Sequence, residues 1–326
     1  MITRHPHIAL LITLLQTAPA PAQPIEPVPP EDRAPDTPRR PIPDERPGSD
    51  RPPAVLDRVE APYLTETERA RLRVEHGLWT TQDRADPALG AQIALDTGAL
   101  DDPILDDPRA PAPLRAHAAL RRGHPGRALD ILDEPDQPTI HARATRARAL
   151  ELLGRTDDAI DTLERLAQRV TADTDPTALA EASLALADLL RLAGPRDDAE
   201  REYQRINTLL AGARQRDPLN WRVRCAEATL LYAHHNRSEA RDAAAEALEL
   251  NPRAAAPARL IGHIATDAYD LDAAARIAAR LDTLAAFDPG ADAQPPDRPA
   301  SASGAILRAR AALRRRDPEG AARALA

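Results

Sequence analysis

The stretch Gly154-Arg-Thr-Asp-Asp-Ala159-Ile-Asp-Thr-Leu163 combines a turn, two acidic residues and the start of an apolar periodic run. Glycine suits a tight turn, acidic residues favour the first turn of a helix, and spaced aliphatic residues continue that helix. The same arrangement, with acidic or polar residues after the turn, recurs along the chain. Its alanines are Ala128, Ala159, Ala199, Ala240, Ala274 and Ala321. The pattern predicts a repeated unit of two helices joined by a turn.

A second small residue lies twelve positions before each of these alanines. The six positions hold only Ala or Gly: Ala116, Ala147, Ala187, Ala228, Gly262 and Ala309. Small residues at two fixed places let the helices of a unit approach closely, and a larger side chain there would overpack the contact by about 1–3 kcal/mol. Some units are longer than others, which predicts extended helices or inserted loops, such as residues 171–177 and 288–300.

These residues resemble the tetratricopeptide repeat, a helix–turn–helix unit of about 34 residues with small residues at fixed places. The closing proline of that repeat is present in Leu250-Asn-Pro252. The resemblance implies an all-α fold, an α-solenoid of about six repeats over residues 110–326. Because no unit can bury its apolar face alone, the core would run continuously along the stack. In the second unit Leu150, Leu153 and Leu163 are expected to contribute to that core.

The first 62 residues have a different composition. Residues 1–22 comprise a short basic start, the apolar run Ile8–Leu15 and the small residues Ala18, Ala20 and Ala22, which together predict a secretory signal peptide cleaved after Ala22. Eight apolar residues are far fewer than the ~20 that span a bilayer, so no membrane span is expected after cleavage. Residues 23–62 alternate proline with charged residues and predict a disordered, extended linker. The chain is therefore expected to be exported, to the periplasm or the exterior of a bacterium.

Residues 63–109 are expected to form an N-terminal helical cap or a degenerate repeat. Thr65-Glu-Thr-Glu68 has the pattern of a capping box, which predicts a helix over Thr65–Thr80, and a second helical stretch covers about Pro87–Thr97. At the other end the sequence stops five residues after Ala321. Two alternatives therefore stay open: the last repeat is complete as it stands, or it is truncated and the natural protein continues beyond Ala326.

The inventory of reactive residues is sparse. The chain has 43 basic residues, all of them arginine, against 51 acidic residues, and its net charge of -8 disfavours a nucleic-acid partner. A single cysteine excludes a disulfide framework and a thiolate zinc site. No phosphate-binding loop, nucleophile elbow or zinc-binding helix motif occurs, so we expect no catalytic residue, cofactor or metal. His234-His235 is interpreted as a solvated turn.

The tetratricopeptide resemblance implies that function lies in a concave groove lined by the first helix of each unit. The groove-facing positions it assigns are Arg148, Glu151, Asp188, Arg191, Thr229, Tyr232, Arg259 and His263. Mixed charges with one tyrosine suit the capture of a peptide segment, so the expected partner is a protein or peptide.

Two functional hypotheses follow from this sequence. The first is an exported, non-catalytic scaffold that binds proteins or peptides. In the second, the region from Asp217-Pro-Leu-Asn-Trp221 to Ala321 is similar to the repeat region of exported bacterial proteins that continue into a gluzincin-type metallopeptidase domain. These helices would then position substrate for a zinc site that lies downstream of residue 326.

Overall fold

The computed structural model describes residues 52–133, 139–167, 176–193, 196–286 and 301–326. Within these residues the chain is all-helical, with sixteen α-helices, one short 3-10 helix and no strand. The predicted signal peptide, the linker up to residue 51 and the predicted insertion at 288–300 lie outside the described residues. The all-α class expected from the composition is confirmed for the described part of the chain.

Four helices precede the repeats: α1 (Pro53–Val59), α2 (Glu66–Glu75), α3 (Thr81–Ala85) and α4 (Pro87–Thr97). The capping box of α2 forms as predicted, because the backbone N–H of Glu68 donates to Thr65 Oγ1 at 3.3 Å and Glu68 Oε2 accepts from the backbone N–H of Thr65 at 2.8 Å. The predicted continuation of α2 to Thr80 is wrong. Gly77 adopts a left-handed conformation after α2, and Thr80 caps the separate helix α3.

Twelve further helices form six consecutive pairs. They are α5 (Ala112–Arg121) with α6 (Pro125–Leu132), α7 (Ile140–Leu152) with α8 (Thr156–Ala167), α9 (Pro176–Ala193) with α10 (Arg196–Arg216), α11 (Trp221–Ala233) with α12 (Arg237–Leu250), α13 (Ala255–Asp267) with α14 (Leu271–Ala286), and α15 (Ala302–Arg314) with α16 (Pro318–Leu325). The two helices of every pair pack together, and both pack against the first helix of the next pair. Helices α9 and α10 have 18 and 21 residues, which explains the long spacing around the third unit.

The small positions of the repeat lie at the helix contacts. All twelve predicted Ala and Gly residues are buried, and Ala116, Ala159, Ala187, Ala228 and Ala240 are fully inaccessible to solvent. At Gly262 in α13, an added Cβ would lie 2.4 Å from Leu307 Cδ1 of α15, so a larger residue there would force the Leu307 side chain to move. Leu163 and Leu150 join the core as expected. Leu153, predicted as a core residue, is 45% exposed because it follows the last turn of α7.

Each described turn between paired helices repeats one backbone conformation. The residue five positions before the second small Ala has a positive φ angle in five units. These residues are Gly123, Gly154, His235, Tyr269 and Arg316, with φ between 59° and 81°. The corresponding Gly194 lies outside the described residues. His235 therefore belongs to a turn, as predicted, and it is exposed.

Helix α1 lies inside the stretch predicted as an extended linker up to residue 62, so that boundary is wrong. Val55 of α1 is fully buried in an apolar cluster with Trp221, Leu250 and Ala254 from the fourth and fifth units. Burial of the Val55 side chain among these partners offsets the conformational entropy lost when α1 folds. The partners are distant along the chain, so the sequence around Val55 does not reveal them.

Polar contacts hold the N-terminal helices against the same two units. Arg58 donates to both carboxylate oxygens of Asp217, at 2.6 and 3.1 Å, and Arg222 Nη2 donates to Asp96 Oδ2 at 2.7 Å. The side-chain amide of Asn251 donates to the carbonyl oxygen of Glu75 at 2.9 Å. Helix α4 packs against α5 and also against α13 and α14. The N-terminal helices thus connect the first unit with the fourth and fifth.

Replacing a buried small residue tests the repeat register. Ala159→Trp and Ala240→Trp should each lower the melting temperature severely, because both sites have no accessible surface and overpacking costs at least about 1–3 kcal/mol. Ala275→Trp on the exposed face of α14 is the matched control and should change it little. Thermal unfolding followed by circular dichroism measures the difference, and equal transitions in all three variants would refute the register.

Replacing a turn residue that has a positive φ angle by glycine should stabilise the folded chain. His235→Gly removes a Cβ from a left-handed position, so we expect the free energy of unfolding to rise by up to about 1 kcal/mol. His124→Gly, at an exposed site with φ of -112°, should bring no gain. Urea denaturation compares the two variants, and a larger gain in His124→Gly would contradict the turn assignment.

Candidate ligand-binding groove

The first helix of each unit carries one residue directly after its small position. These residues are His117, Arg148, Asp188, Thr229, His263 and Arg310. Four of them were predicted as groove residues, whereas His117 and Arg310 were missed. The signal for both was present in the sequence, because they directly follow Ala116 and Ala309 in the same register.

Several predicted groove residues have their polar groups bonded within their own unit. Arg148 pairs with Glu151 one turn along α7. Asp188 accepts a hydrogen bond from the Tyr203 hydroxyl at 2.8 Å, and Thr229 Oγ1 donates to the backbone carbonyl of Cys225 at 2.9 Å. The side chain of Arg191 lies outside the described residues. None of these contacts links one unit to the next.

A second set of polar residues, which are hydrogen-bonded to one another, joins three units at Asp267. The Tyr232 hydroxyl donates to Asp267 Oδ2 at 2.7 Å, and Arg310 and Arg314 donate to Asp267 Oδ1 at 3.1 and 3.2 Å. Burial raises the pKa of Asp267, but these donors and the nearby arginine charges outweigh it and hold the pKa below its ordinary value. Asp267 is therefore an ionised carboxylate that connects α11, α13 and α15.

His263 is attached to this set through Arg310. Arg310 Nη1 lies 2.5 Å from His263 Nδ1, and because a guanidinium can only donate, Nδ1 is the acceptor. This contact places the imidazole proton on Nε2. Burial, with the charges of Arg310 and Arg259, lowers the pKa of His263 to about 3, so the ring is neutral at neutral pH.

Two further arginines of the first helices are Arg259 of α13 and Arg121 of α5. Both side chains are half-buried. Burial, with the charge of Arg259, lowers the pKa of Arg121 to about 10. Burial also lowers the pKa of Arg259.

Within the described residues neither Arg121 nor Arg259 forms an ion pair with a carboxylate. Asp96 of α4 acts on Arg121 electrostatically, but its carboxylate accepts hydrogen bonds from Arg222 at 2.7 Å and Gln92 at 2.9 Å. Arg121 Nη1 donates to the carbonyl oxygen of Leu95 at 2.9 Å, in the last turn of α4. The C-terminal end of α4 thus holds Arg121 in position and leaves its charge without an ionic partner.

His117 belongs to α5, as Arg121 does. Burial lowers its pKa to about 3, and the charges of Arg121, His141 and Arg259 act in the same direction. A neutral imidazole carries one N–H donor and no charge. Of Arg121, Arg259 and His117, only Arg259 was predicted as a groove residue.

Neither the family models nor the curated proteins contain a match to this chain. In the part of the chain that the structure describes, no three or more His, Cys, Asp or Glu side chains are grouped so that they could hold a metal ion. No described helix is both long and apolar enough to cross a membrane. A function for this groove is therefore inferred from the contacts of its own residues.

The two half-buried histidines, His117 and His263, predict a loss of stability in acid. Their folded pKa of about 3 lies below the ordinary 6.5, so below about pH 6.5 the unfolded chain binds more protons than the folded chain. The free energy of unfolding should therefore fall between about pH 7 and pH 5, by at most about 2 kcal/mol for each histidine.

Urea denaturation at these two pH values measures that fall. The double variant His117→Gln, His263→Gln should show a smaller fall than the parent, whereas His124→Gln, at an exposed site, should match the parent. Comparing the difference between pH values removes any loss of stability that the substitutions cause at both. An unchanged fall in the double variant would show that these rings titrate normally.

Proposed function

We propose that this chain is an exported, non-catalytic α-solenoid of the tetratricopeptide type, which binds a protein or peptide segment in the groove formed by its first helices. One observation carries the proposal. In every unit the two predicted small positions are buried, and every first helix packs against the first helix of the next unit. That succession of first helices is the arrangement in which a continuous binding groove forms.

The polar groups along this succession suit a peptide ligand. An extended peptide has unpaired backbone N–H and C=O groups that need partners once they are removed from water. Tyr232, His263 and Arg310 lie together at the fourth to sixth units, where the Tyr232 hydroxyl bonds Asp267 and Arg310 bonds His263 Nδ1. The His263 Nε2 proton is the donor that this set would offer to a peptide carbonyl. The groove would therefore recognise the backbone of a segment as well as its side chains.

The N-terminal helices would close one part of the groove. Helix α4 contacts α5, α13 and α14, and it places the Leu95 carbonyl oxygen against Arg121. A ligand in the groove would lie beside α4 rather than displace it, because Arg58, Arg222 and Asn251 bond this segment to the repeats. The N-terminal leader would direct export of the chain, and the proline-rich stretch would act as a spacer before the repeats.

Blocking the groove should abolish peptide binding. The probe is an array of immobilised dodecapeptides of random sequence, incubated with the purified chain. Thr229→Trp puts a large ring at an exposed groove position and should weaken binding to the captured peptides by about tenfold or more. The threonine hydroxyl bonds only its own helix, so the fold should persist.

The matched control is Thr208→Trp. Thr208 is also exposed and also bonds the carbonyl four residues earlier, but it lies on the second helix of its unit. This variant should bind as the parent does. Failure of the parent to bind any peptide, or equal binding by Thr229→Trp and Thr208→Trp, would contradict a peptide-binding groove.

A further inference from the structure

We propose that the N-terminal helices α1–α4 form a strap, which ion pairs hold against the fourth and fifth units and which opens as one unit while the repeated helix pairs stay folded. The strap consists of residues 53–98. This conformational device goes beyond the peptide-binding groove, and the failure of either one would leave the other standing.

Two routes of contact connect the first unit with the fifth. One route runs through the repeats, because every first helix from α5 to α13 packs against the next first helix. The other route runs through the strap, since α4 packs against α5 and also against α13 and α14. A repeat in such an array contacts its neighbours, so the strap adds a link between units that lie four apart along the stack.

Two ion pairs hold the strap against the fourth unit. Arg58 of α1 donates to both carboxylate oxygens of Asp217, and Arg222 of α11 donates to Asp96 of α4. The four side chains keep between 10% and 32% of their surface exposed. Water can therefore solvate these charges when the pairs break, which makes opening less costly than the separation of a fully buried ion pair.

Two turns of the strap contact the start of the fifth unit. Asn251 is inaccessible to solvent and donates its side-chain amide to the carbonyl oxygen of Glu75 at 2.9 Å. An added Cβ at Gly77 would lie 2.4 Å from Asn251 Oδ1, and an added Cβ at Gly98 would lie 3.4 Å from Ala255 Cβ. The closed strap therefore fits the loop before α13 through two glycine turns and one buried amide.

The strap depends on distant contacts more than the helix pairs do. Helices α1 and α3 have seven and five residues, lengths at which an isolated helix is not stable in water. The ion pairs of the strap join residues 159 and 126 positions apart, whereas each helix pair packs against its neighbours along the chain. The pairs can keep their own contacts when the strap is released, so the strap should open at a lower free energy than the pairs unfold.

Both tryptophans of the chain lie where the strap meets the repeats. The guanidinium of Arg253 lies 4.6 Å from the ring centroid of Trp79, which follows α2, and Trp221 of α11 packs with Val55 of α1. Each tryptophan is 4% exposed. Opening of the strap would uncover both rings and leave the helix pairs in place. Tryptophan fluorescence therefore follows the strap, and far-ultraviolet circular dichroism follows the pairs.

Urea denaturation of the parent chain tests whether the strap opens separately. The tryptophan emission should shift to longer wavelength at a lower urea concentration than that at which the helical circular dichroism is lost, because two units that unfold separately give transitions that do not coincide. Coincident transitions would overturn the proposal, since the strap and the pairs would then unfold together.

Reversing one charge tests the ion pair. Asp217→Arg sets two arginines against each other, so amide hydrogen exchange in α1 and α4 should become faster by about tenfold or more, the factor that corresponds to losing a hydrogen bond to a charged group. Exchange in α7 and α8 should not change. Adding Arg58→Glu restores a pair of opposite charges and should return exchange in α1 and α4 to the parent rate. A double variant that exchanges as fast as Asp217→Arg would overturn the role of this pair.

The matched control is Asp158→Arg. Asp158 pairs with Arg155 at 2.7 Å inside the second unit, and its replacement changes the net charge by the same amount. Exchange in the strap should equal that of the parent in this variant. Equal acceleration in Asp158→Arg and Asp217→Arg would show a general effect of the added charge and would overturn the proposal.

Discussion

Close approach between helices at small side chains is the constraint on which the rest of this structure depends. The buried alanines of each unit, such as Ala159 and Ala240, let the paired helices and the next first helix meet, and Gly262 serves where Leu307 comes closer still. When a helix contacts its neighbours through one stripe of small residues, the helical period fixes which residues lie on its other faces. The positions assigned to the proposed groove follow from that stripe.

Stacking of the units has an electrostatic consequence. Residues from three units meet at Asp267, where one carboxylate accepts hydrogen bonds from Tyr232, Arg310 and Arg314.

Prediction from the sequence succeeded where the cause is local. The turn containing His235 and the capping box at Thr65 depend on residues within one or two helical turns of each other, and the small-residue register depends on positions twelve residues apart within one helix pair. It failed at α1, which was assigned to a linker, and at Leu153, which was assigned to the core. Val55 is ordered by contacts with residues such as Trp221, far away along the chain, and these partners leave no trace in the local pattern.

The order of amino acids alone accounts for the helices, their turns and the sizes of the side chains between them, because those depend on backbone sterics and on neighbours a few residues away. Tertiary packing alone brings Arg58 to Asp217, 159 residues apart, and Tyr232 of the fourth unit to Asp267 of the fifth. The way in which successive helix pairs pack decides which distant side chains meet, so these polar contacts are a property of the assembled units.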